Sequence, residues 1–482
     1  MNYGIIGYVL VRLLRLEAGL LSLPLLVALI YQESWVNIGA FGLSIVLLLL
    51  VSLFPRKNKN QSMTFYMREA FIIVGLSWIL LSFFGSLPFY LSGEIPSLVD
   101  AFFETSSGFT TTGSSILVDV EALSKSMLFW RSFTHMIGGM GILIFALAVL
   151  PKMASDGVRV AKAEVPGPSF GKLVSKLSLN AKILYIMYIA MTGVVVVFLL
   201  LGGMSLFDAL IHAFGAAGTG GFSNKVLSVG FYNSRYIEAV LGISMLIFGM
   251  NFNLHYIFLF GNKREILKNE ELKWYLVIVF LAIIFIGLNI KSVYGLGQGL
   301  RHSFFAVSSV ITTTGYATVD FAKWPLFSRL IIMVLMVVGG CAGSTSGGLK
   351  VSRVVVLVKS GLSQIIKSRQ PGRVQNISYE GEGLSEGKII SIQNYFMLYM
   401  LVLTVLILLL SFNYSDLETA ISGALTAFNN IGPGLGQLGP SSNFSSLSDF
   451  NKLVMSLAMI AGRLEILPII VVFMPSSWKK LL

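Results

Sequence analysis

Apolar runs separated by short polar stretches dominate the chain, and several are long enough to cross a bilayer as helices, which takes roughly 20 residues. The clearest lie near 69–91, 183–203, 236–260, 274–291 and 394–412. An earlier run from Ile5 to Tyr31 contains Arg12 and Arg15 and is followed at once by another, so it reads as a membrane helix rather than a cleaved leader. The pattern predicts ten crossings and an all-α polytopic membrane protein.

Four short Thr/Gly-rich segments interrupt this pattern. The first runs from Asp100 through Thr110-Thr111-Thr112 to Gly113, and the second from Asp208 through His212 to Thr219-Gly220-Gly221. The third runs from His302 to Thr312-Thr313-Thr314-Gly315, and the fourth from Thr419 to Asn429-Asn430-Ile431-Gly432. In each, a glycine stands thirteen residues after the start of a short helix-like stretch, and each segment lies between two long apolar runs. The expected unit is helix, re-entrant helix, glycine-bearing strand, helix. Four such units span 69–150, 182–260, 273–358 and 394–475, preceded by an extra helix pair in 1–54. Units that share one element should pack pseudo-symmetrically around a single axis.

Charge then orients the chain. Only 12% of the residues are charged and 55% are hydrophobic, about half the charge of a soluble domain, so lipid is the expected solvent and partner. The net charge of +12 is distributed unevenly. With a cytoplasmic N-terminus, the inner stretches 54–72, 151–182, 261–273, 350–390 and 476–482 hold 23 of the 35 Lys and Arg, and the outer loops hold six. That asymmetry is the positive-inside rule; it accounts for the basic excess without nucleic acid and puts both termini in the cytoplasm. All four Thr/Gly segments then face outwards. The one cysteine, Cys341, excludes an internal disulfide. No paired carboxylates or nucleophile–base set suggests an enzyme, including one acting on lipid, and the four histidines have no metal-ligand spacing.

A dehydrated cation must recover its lost hydration from protein oxygens, and rings of backbone carbonyls supply them. Turning carbonyls inwards requires unusual backbone angles, which glycine reaches without steric cost. Gly113, Gly221, Gly315 and Gly432 suit that role, with Thr111, Thr112, Thr219, Thr313, Thr314, Asn430 and Ile431 beside them. Gly220 stands next to Gly221, and Gly434 close to Gly432, so the register of the second and fourth segments rests on spacing alone. The short helices would direct their negative C-terminal ends at the cation.

Thr111-Thr112-Gly113-Ser114, Thr219-Gly220-Gly221-Phe222-Ser223, Thr313-Thr314-Gly315-Tyr316 and Asn429-Asn430-Ile431-Gly432-Pro433-Gly434-Leu435-Gly436 resemble the four filter loops of the Trk/Ktr/HKT superfamily of potassium transporters. The resemblance covers essentially the whole chain. The N-terminal helix pair and the last motif make it most similar to the bacterial TrkH branch. It implies four helix–pore-loop–helix repeats about one pore, potassium as the transported ion, a homodimer in the bacterial plasma (inner) membrane, and a cytosolic ring of nucleotide-binding regulatory subunits (TrkA-like). Sodium-preferring relatives carry serine in the first loop; Gly113 there implies potassium. A single glycine layer predicts real but modest selectivity. Potassium uptake through a channel-like path is the expectation, with a carrier coupled to protons or sodium as the alternative.

Two further features lie below the expected filter. The stretch Gly339–Lys350 contains Gly340, Gly343, Ser344, Thr345, Gly347 and Gly348 and cannot maintain a stiff helix. No strand precedes it and Lys350 is not in a nucleotide-binding context, so a hinge or interrupting loop is expected, and the resemblance makes it the gate. Arg463 lies in the final apolar run, where an ionisable group is costly and a functional candidate. The resemblance places it near the pore, as a barrier to cations or a positional latch. Glu465 is two residues on and is not expected to neutralise it. Glu104 is a weaker candidate for cation or proton sensing, and Asp100 and Asp208 are expected to cap their helices.

Overall fold

A computed structural model describes residues 3–53, 66–141, 177–370 and 376–479. Most of the inner stretches 54–72 and 151–182, the end of the first unit and residues 371–375 lie outside it. Among the described residues, Tyr3–Ile30, Met67–Ser92, Ala181–Leu201, Glu270–Asn289 and Glu386–Ser411 are long and apolar enough to span a membrane. Arg235–Phe248 and Phe252–Phe260 add a sixth if the bent pair is one span. Among the described residues the fold is helical apart from a two-residue-per-strand hairpin, Ser378–Tyr379 with Glu382–Gly383.

The same order of elements occurs four times. A long helix leads to a short one, an extended loop, a 3-10 turn and a second helix. The short helices are Leu98–Phe109, Leu206–Gly218, Leu296–Ile311 and Leu417–Asn429. The second helices are Lys125–Gly139, Arg235–Phe248, Leu326–Val338 and Asp449–Arg463. Caps explain three of the short helix starts: Ser97, Ser205 and Asp416 each accept the N–H three residues on. Asp100 and Asp208 therefore sit inside the first turn, where the dipole favours a carboxylate, and do not cap. Each second helix packs against the short helix of the following unit, and that of the fourth packs against the first, so the arrangement closes.

Within a unit, the second helix also meets the end of its own short helix, backbone against backbone. A methyl group on Gly138 would overlap the carbonyl oxygen of Phe109, and one on Gly462 that of Phe428. Charge pairs instead join neighbouring units, each linking a second helix to the short helix of the next unit: Lys452–Asp100 at 2.5 Å, Arg301–Glu238 at 2.6 Å and Arg329–Glu418. At the first-to-second crossing, Lys125 lies over the Phe207 ring, 4.7 Å from its centroid.

The run at 236–260 is not one straight helix. Arg235–Phe248 and Phe252–Phe260 meet at 96°. Asn251 caps the second piece by accepting the Asn253 N–H. The backbone freed at the bend is taken up by the glycine-rich stretch: Gly249 O accepts the Cys341 N–H at 2.9 Å, and Phe252 N–H donates to Gly343 O at 3.0 Å. The fourth unit breaks at the matching place, where Glu465 and Ile466 carry φ of 57° and 72° before Leu467–Phe473. Sequence analysis anticipated only the break in the third unit. Similarly, the first half of 350–390 is no loop but the helix Val351–Arg369.

Before the repeated units, Tyr3–Leu20 and Ser22–Ile30 run into a turn, and Trp35–Val51 returns. Arg15 ties the pair together by donating to the Ser52 carbonyl at 2.8 Å. Glu33 and Glu94 hold the start of Lys125–Gly139: Glu33 accepts the Ser126 N–H at 2.8 Å and Glu94 the Ser124 N–H at 3.0 Å.

Gly138→Ala and Gly462→Ala should each destabilise the protein by about 1–3 kcal/mol, the usual cost of overpacking. Gly42→Ala, with nothing within 4 Å of the added methyl, should be neutral or stabilising. Thermal midpoints of the purified chain in detergent would check this.

Candidate functional site

The four short helices end in the same way. Thr111, Thr219, Thr313 and Asn430 are left-handed, with φ of 56°, 55°, 56° and 57°. The next residue donates its N–H five residues back: Thr112 to Ser107 O, Gly220 to Gly215 O, Thr314 to Ser309 O and Ile431 to Thr426 O, at 2.8–3.0 Å. This is a Schellman-type helix end, which ordinarily uses glycine at the left-handed position. Threonine is β-branched and is an outlier there. Such strain costs of order 1–3 kcal/mol per residue and persists where surrounding structure imposes it.

Two residues after each left-handed position stand Gly113, Gly221, Gly315 and Gly432, all with positive φ. A methyl on Gly113 would overlap Gly220 O of the second loop, and one on Gly221 would overlap Thr314 O of the third. One on Gly315 would overlap Ile431 O of the fourth, and one on Gly432 would lie 3.0 Å from Thr112 O of the first. The loops thus meet in a closed ring. Each glycine faces the carbonyl that precedes the next glycine. Gly221 and Gly432, rather than Gly220 and Gly434, occupy the matching positions.

Each seam of the ring has its own brace. Between the first and second loops, buried His135 has Nδ1 2.8 Å from Gly108 O, so Nδ1 carries the proton and Nε2 accepts the Phe222 N–H at 3.3 Å. Buried Arg131 donates to Ser223 O at 3.0 Å and to Glu104 at 2.6 Å, and its guanidinium lies over the Phe222 ring at 3.4 Å. Glu104 also accepts from the Ser115 hydroxyl at 2.9 Å and the Ile116 N–H at 3.0 Å. Its bonds make it a brace for the first loop. Between the second and third loops, the Tyr316 hydroxyl reaches His212 O at 3.1 Å and Phe222 O at 3.2 Å. Between the fourth and first, Ser114 donates to Gly432 O and Asn430 to the Thr112 hydroxyl, both at 2.9 Å. At the third-to-fourth seam, Pro433 packs against Gly315.

The glycine-rich stretch lies against this ring. Gly347 N–H donates to the Thr313 hydroxyl at 2.7 Å, and a methyl on Gly347 would overlap Asn429 O. Within the stretch, Ser344 donates to Cys341 O at 2.7 Å and lies 2.6 Å from the Ser346 hydroxyl, while Thr345 donates to Phe248 O at 3.2 Å. Gly343 and Gly348 have φ of 71° and 75°, and a methyl on Gly340 would overlap the Ser346 hydroxyl. Lys350, buried and with φ of 73°, turns its ammonium back onto Ser346 O and Gly347 O. Arg463 is buried and does not snorkel to a surface. It donates to Thr345 O at 2.6 Å and to Gly138 O and Gly139 O at 2.7 and 2.6 Å. The last two carbonyls end a helix, where a cation is favoured. Glu465 pairs with Arg353 at 2.6 Å.

Sequence analysis missed His135, Arg131 and Tyr316 because their partners lie up to 104 residues away. A lone histidine or arginine in an apolar helix was the available signal.

The described residues contain no group of three or more His, Cys, Asp or Glu able to hold a metal. A sequence model of the TrkH family, described as cation transport protein, matches residues 37–480. The chain belongs to the TrkH family. It is 33% identical to the Trk system potassium uptake protein TrkH of Escherichia coli K12 over the full length of both chains. It is also 33% identical to TrkG of the same strain, across 95% of this chain and 94% of that one. The crystal structure of the potassium transporter TrkH from Vibrio parahaemolyticus superposes with a TM-score of 0.88 at 31% identity, covering 99% of this chain and 100% of that one. This TrkH-family chain is a multi-pass membrane protein of a transporter family rather than an enzyme family.

Glu104→Ala leaves Arg131 buried without its carboxylate and should cost about 3–5 kcal/mol. Glu104→Ala combined with Arg131→Met should cost less than Glu104→Ala alone. The detergent thermal midpoints of the two variants decide this.

Proposed function

We propose that the chain takes up potassium through a channel-like pore whose selectivity filter is the ring formed by Thr111–Gly113, Thr219–Gly221, Thr313–Gly315 and Asn430–Gly432. The observation that supports this reading is the closed succession of glycine against carbonyl, which the four loops complete without a gap. An ion at the centre of such a ring meets carbonyl oxygens from four sides, as a potassium ion stripped of water requires. The C-terminal ends of four short helices surround it and favour a positive charge. The full-length relatives named as potassium uptake proteins support the choice of ion.

In this reading the four units are pseudo-symmetric repeats around one pore. Gly340, Gly343, Ser344, Thr345, Gly347 and Gly348 form a gate beneath the filter. Arg463 latches that gate by joining Thr345 to the end of Lys125–Gly139. The membrane potential contributes about 2.3 kcal/mol per charge per 100 mV, enough to draw potassium inwards without a built-in ATPase. The protein works as a homodimer in the bacterial inner membrane with both termini cytoplasmic, and a nucleotide-binding ring regulates it from the cytosol.

Rubidium tracer uptake into liposomes containing the purified chain, driven by a potassium gradient, tests the proposal. Potassium should compete far better than sodium with no proton or sodium gradient imposed; uptake that needs either gradient would replace the pore with a coupled carrier. Gly113→Ser should reduce the preference for potassium in the same competition, and an unchanged ratio would remove Gly113 from the filter. Arg463→Ala should raise flux, since it frees Thr345 from the helix end.

A further inference from the structure

Glu271 lies in the first turn of Glu270–Asn289 and is buried. Its Oε1 accepts two backbone N–H groups, from Ala342 at 2.7 Å and from Ser352 at 3.0 Å. These residues stand near the two ends of the glycine-rich stretch, so one carboxylate oxygen staples both ends together. The backbone N–H of Glu271 is itself held. It donates to Oε1 of Glu380 at 3.0 Å, an oxygen that also accepts the Glu270 N–H at 3.0 Å and Asn269 Nδ2 at 2.8 Å.

Glu380 thus caps a helix to which it does not belong. It sits at the bend of the Ser378–Gly383 hairpin with φ of 53°, a left-handed conformation that is strained for glutamate. Its own N–H returns to Glu270 Oε2 at 3.3 Å. Lys359, on the helix that follows the glycine-rich stretch, donates to Ser378 O at 2.8 Å and pairs with Glu270. Tyr379 is buried beneath the hairpin, while Gly381, Glu382 and Gly383 are exposed at its tip. An exposed tip, a strained bend, a helix end and a loop staple are therefore joined by direct bonds.

We propose that the 378–383 hairpin is a lever on the glycine-rich stretch, with Glu380 and Glu271 as its positioning residues. Displacing the hairpin takes Glu380 from the start of Glu270–Asn289, shifts the Glu271 backbone, and loosens the grip of its carboxylate on Ala342 and Ser352. The stretch then leaves Thr313 and Asn429, which it contacts here. The exposed tip is where a cytosolic regulator would push. This rests on the reading of 339–350 as a gate.

The test is rubidium flux through the full chain in liposomes for Glu271→Ala, Glu380→Ala and the double variant. Each single change should raise flux about fivefold or more, within the range of ordinary coupling between sites. The double variant should exceed neither single by a further factor, because both act on one staple. The potassium-over-sodium competition ratio should not move, and Glu271→Gln and Glu380→Gln, which keep an acceptor oxygen, should return flux towards the parent. Unchanged flux in the singles, or a double equal to their product, overturns the lever. Gly347→Ala in the same assay separates the two ideas. If it changes flux and the glutamate variants do not, the lever fails and the gate stands; if neither changes flux, the gate reading fails first. Should Glu271→Ala not accumulate, Glu380→Ala combined with Gly347→Ala supplies the same test of non-additivity.

Discussion

The rest of the molecule depends on one steric fact: at three places a backbone carbonyl occupies the space that a side chain on the facing glycine would need, and at a fourth it lies close against that space. Gly113 against Gly220 O, Gly221 against Thr314 O, Gly315 against Ile431 O and Gly432 against Thr112 O form a circuit with no slack. Glycine is required there both for clearance and for positive φ. The circuit also imposes the left-handed Thr111, Thr219 and Thr313, because the chain must turn out of a helix and into the ring within two residues. The braces behind the ring hold that strained geometry in place. Four different pairings serve four seams, so the backbone is nearly fourfold and its side-chain support is not.

A second constraint follows from depth. Irregular backbone inside a membrane must find its hydrogen bonds within the protein. The bend after Phe248 and the stretch 339–350 meet this requirement largely by bonding to one another or to nearby charged groups, and the break after Arg463 by bonds to the turn before it. Gly249 O and Gly343 O receive N–H groups across the first two. Arg463, Lys350 and Glu271 supply ionic donors or an acceptor to buried peptide groups. Each charge is buried against backbone of opposite polarity, the arrangement that lowers the cost of placing it at membrane depth. A glycine-rich stretch held in this way is ordered, yet only a few side chains hold it.

The ion pairs between units act at a different level. Lys452–Asp100, Arg301–Glu238 and Arg329–Glu418 link three of the four second helices to the short helix of the next unit. They fix short helices to the neighbouring units, while the glycine contacts at Gly138 and Gly462 set how closely a second helix approaches the short helix of its own unit. The N-terminal pair is attached from outside this circuit through Glu33 and Glu94, which meet at Asn37. Helices that take no part in the ring are thereby tied to the start of Lys125–Gly139, the helix that carries Arg131 and His135.

By itself, the sequence determined whatever repeats locally. Apolar length predicted the long helices Tyr3–Ile30, Met67–Ser92, Ala181–Leu201, Glu270–Asn289 and Glu386–Ser411, the thirteen-residue offset predicted four equivalent glycines, and five glycines within Gly339–Gly348 predicted an interrupted helix. These signals are legible because helix length, turn chemistry and backbone freedom are properties of neighbouring residues. The tertiary structure alone decided the register of the second and fourth loops, since adjacent glycines are distinguished only by the carbonyl each one faces. It also decided that Arg235–Phe260 bends, where the freed backbone is satisfied by the distant glycine-rich stretch, and that the fourth unit breaks after Arg463. Finally, it assigned His135, Arg131 and Glu271 to the loops they hold. A buried polar side chain takes its meaning from its partner, and here those partners lie between 27 and 92 residues along the chain.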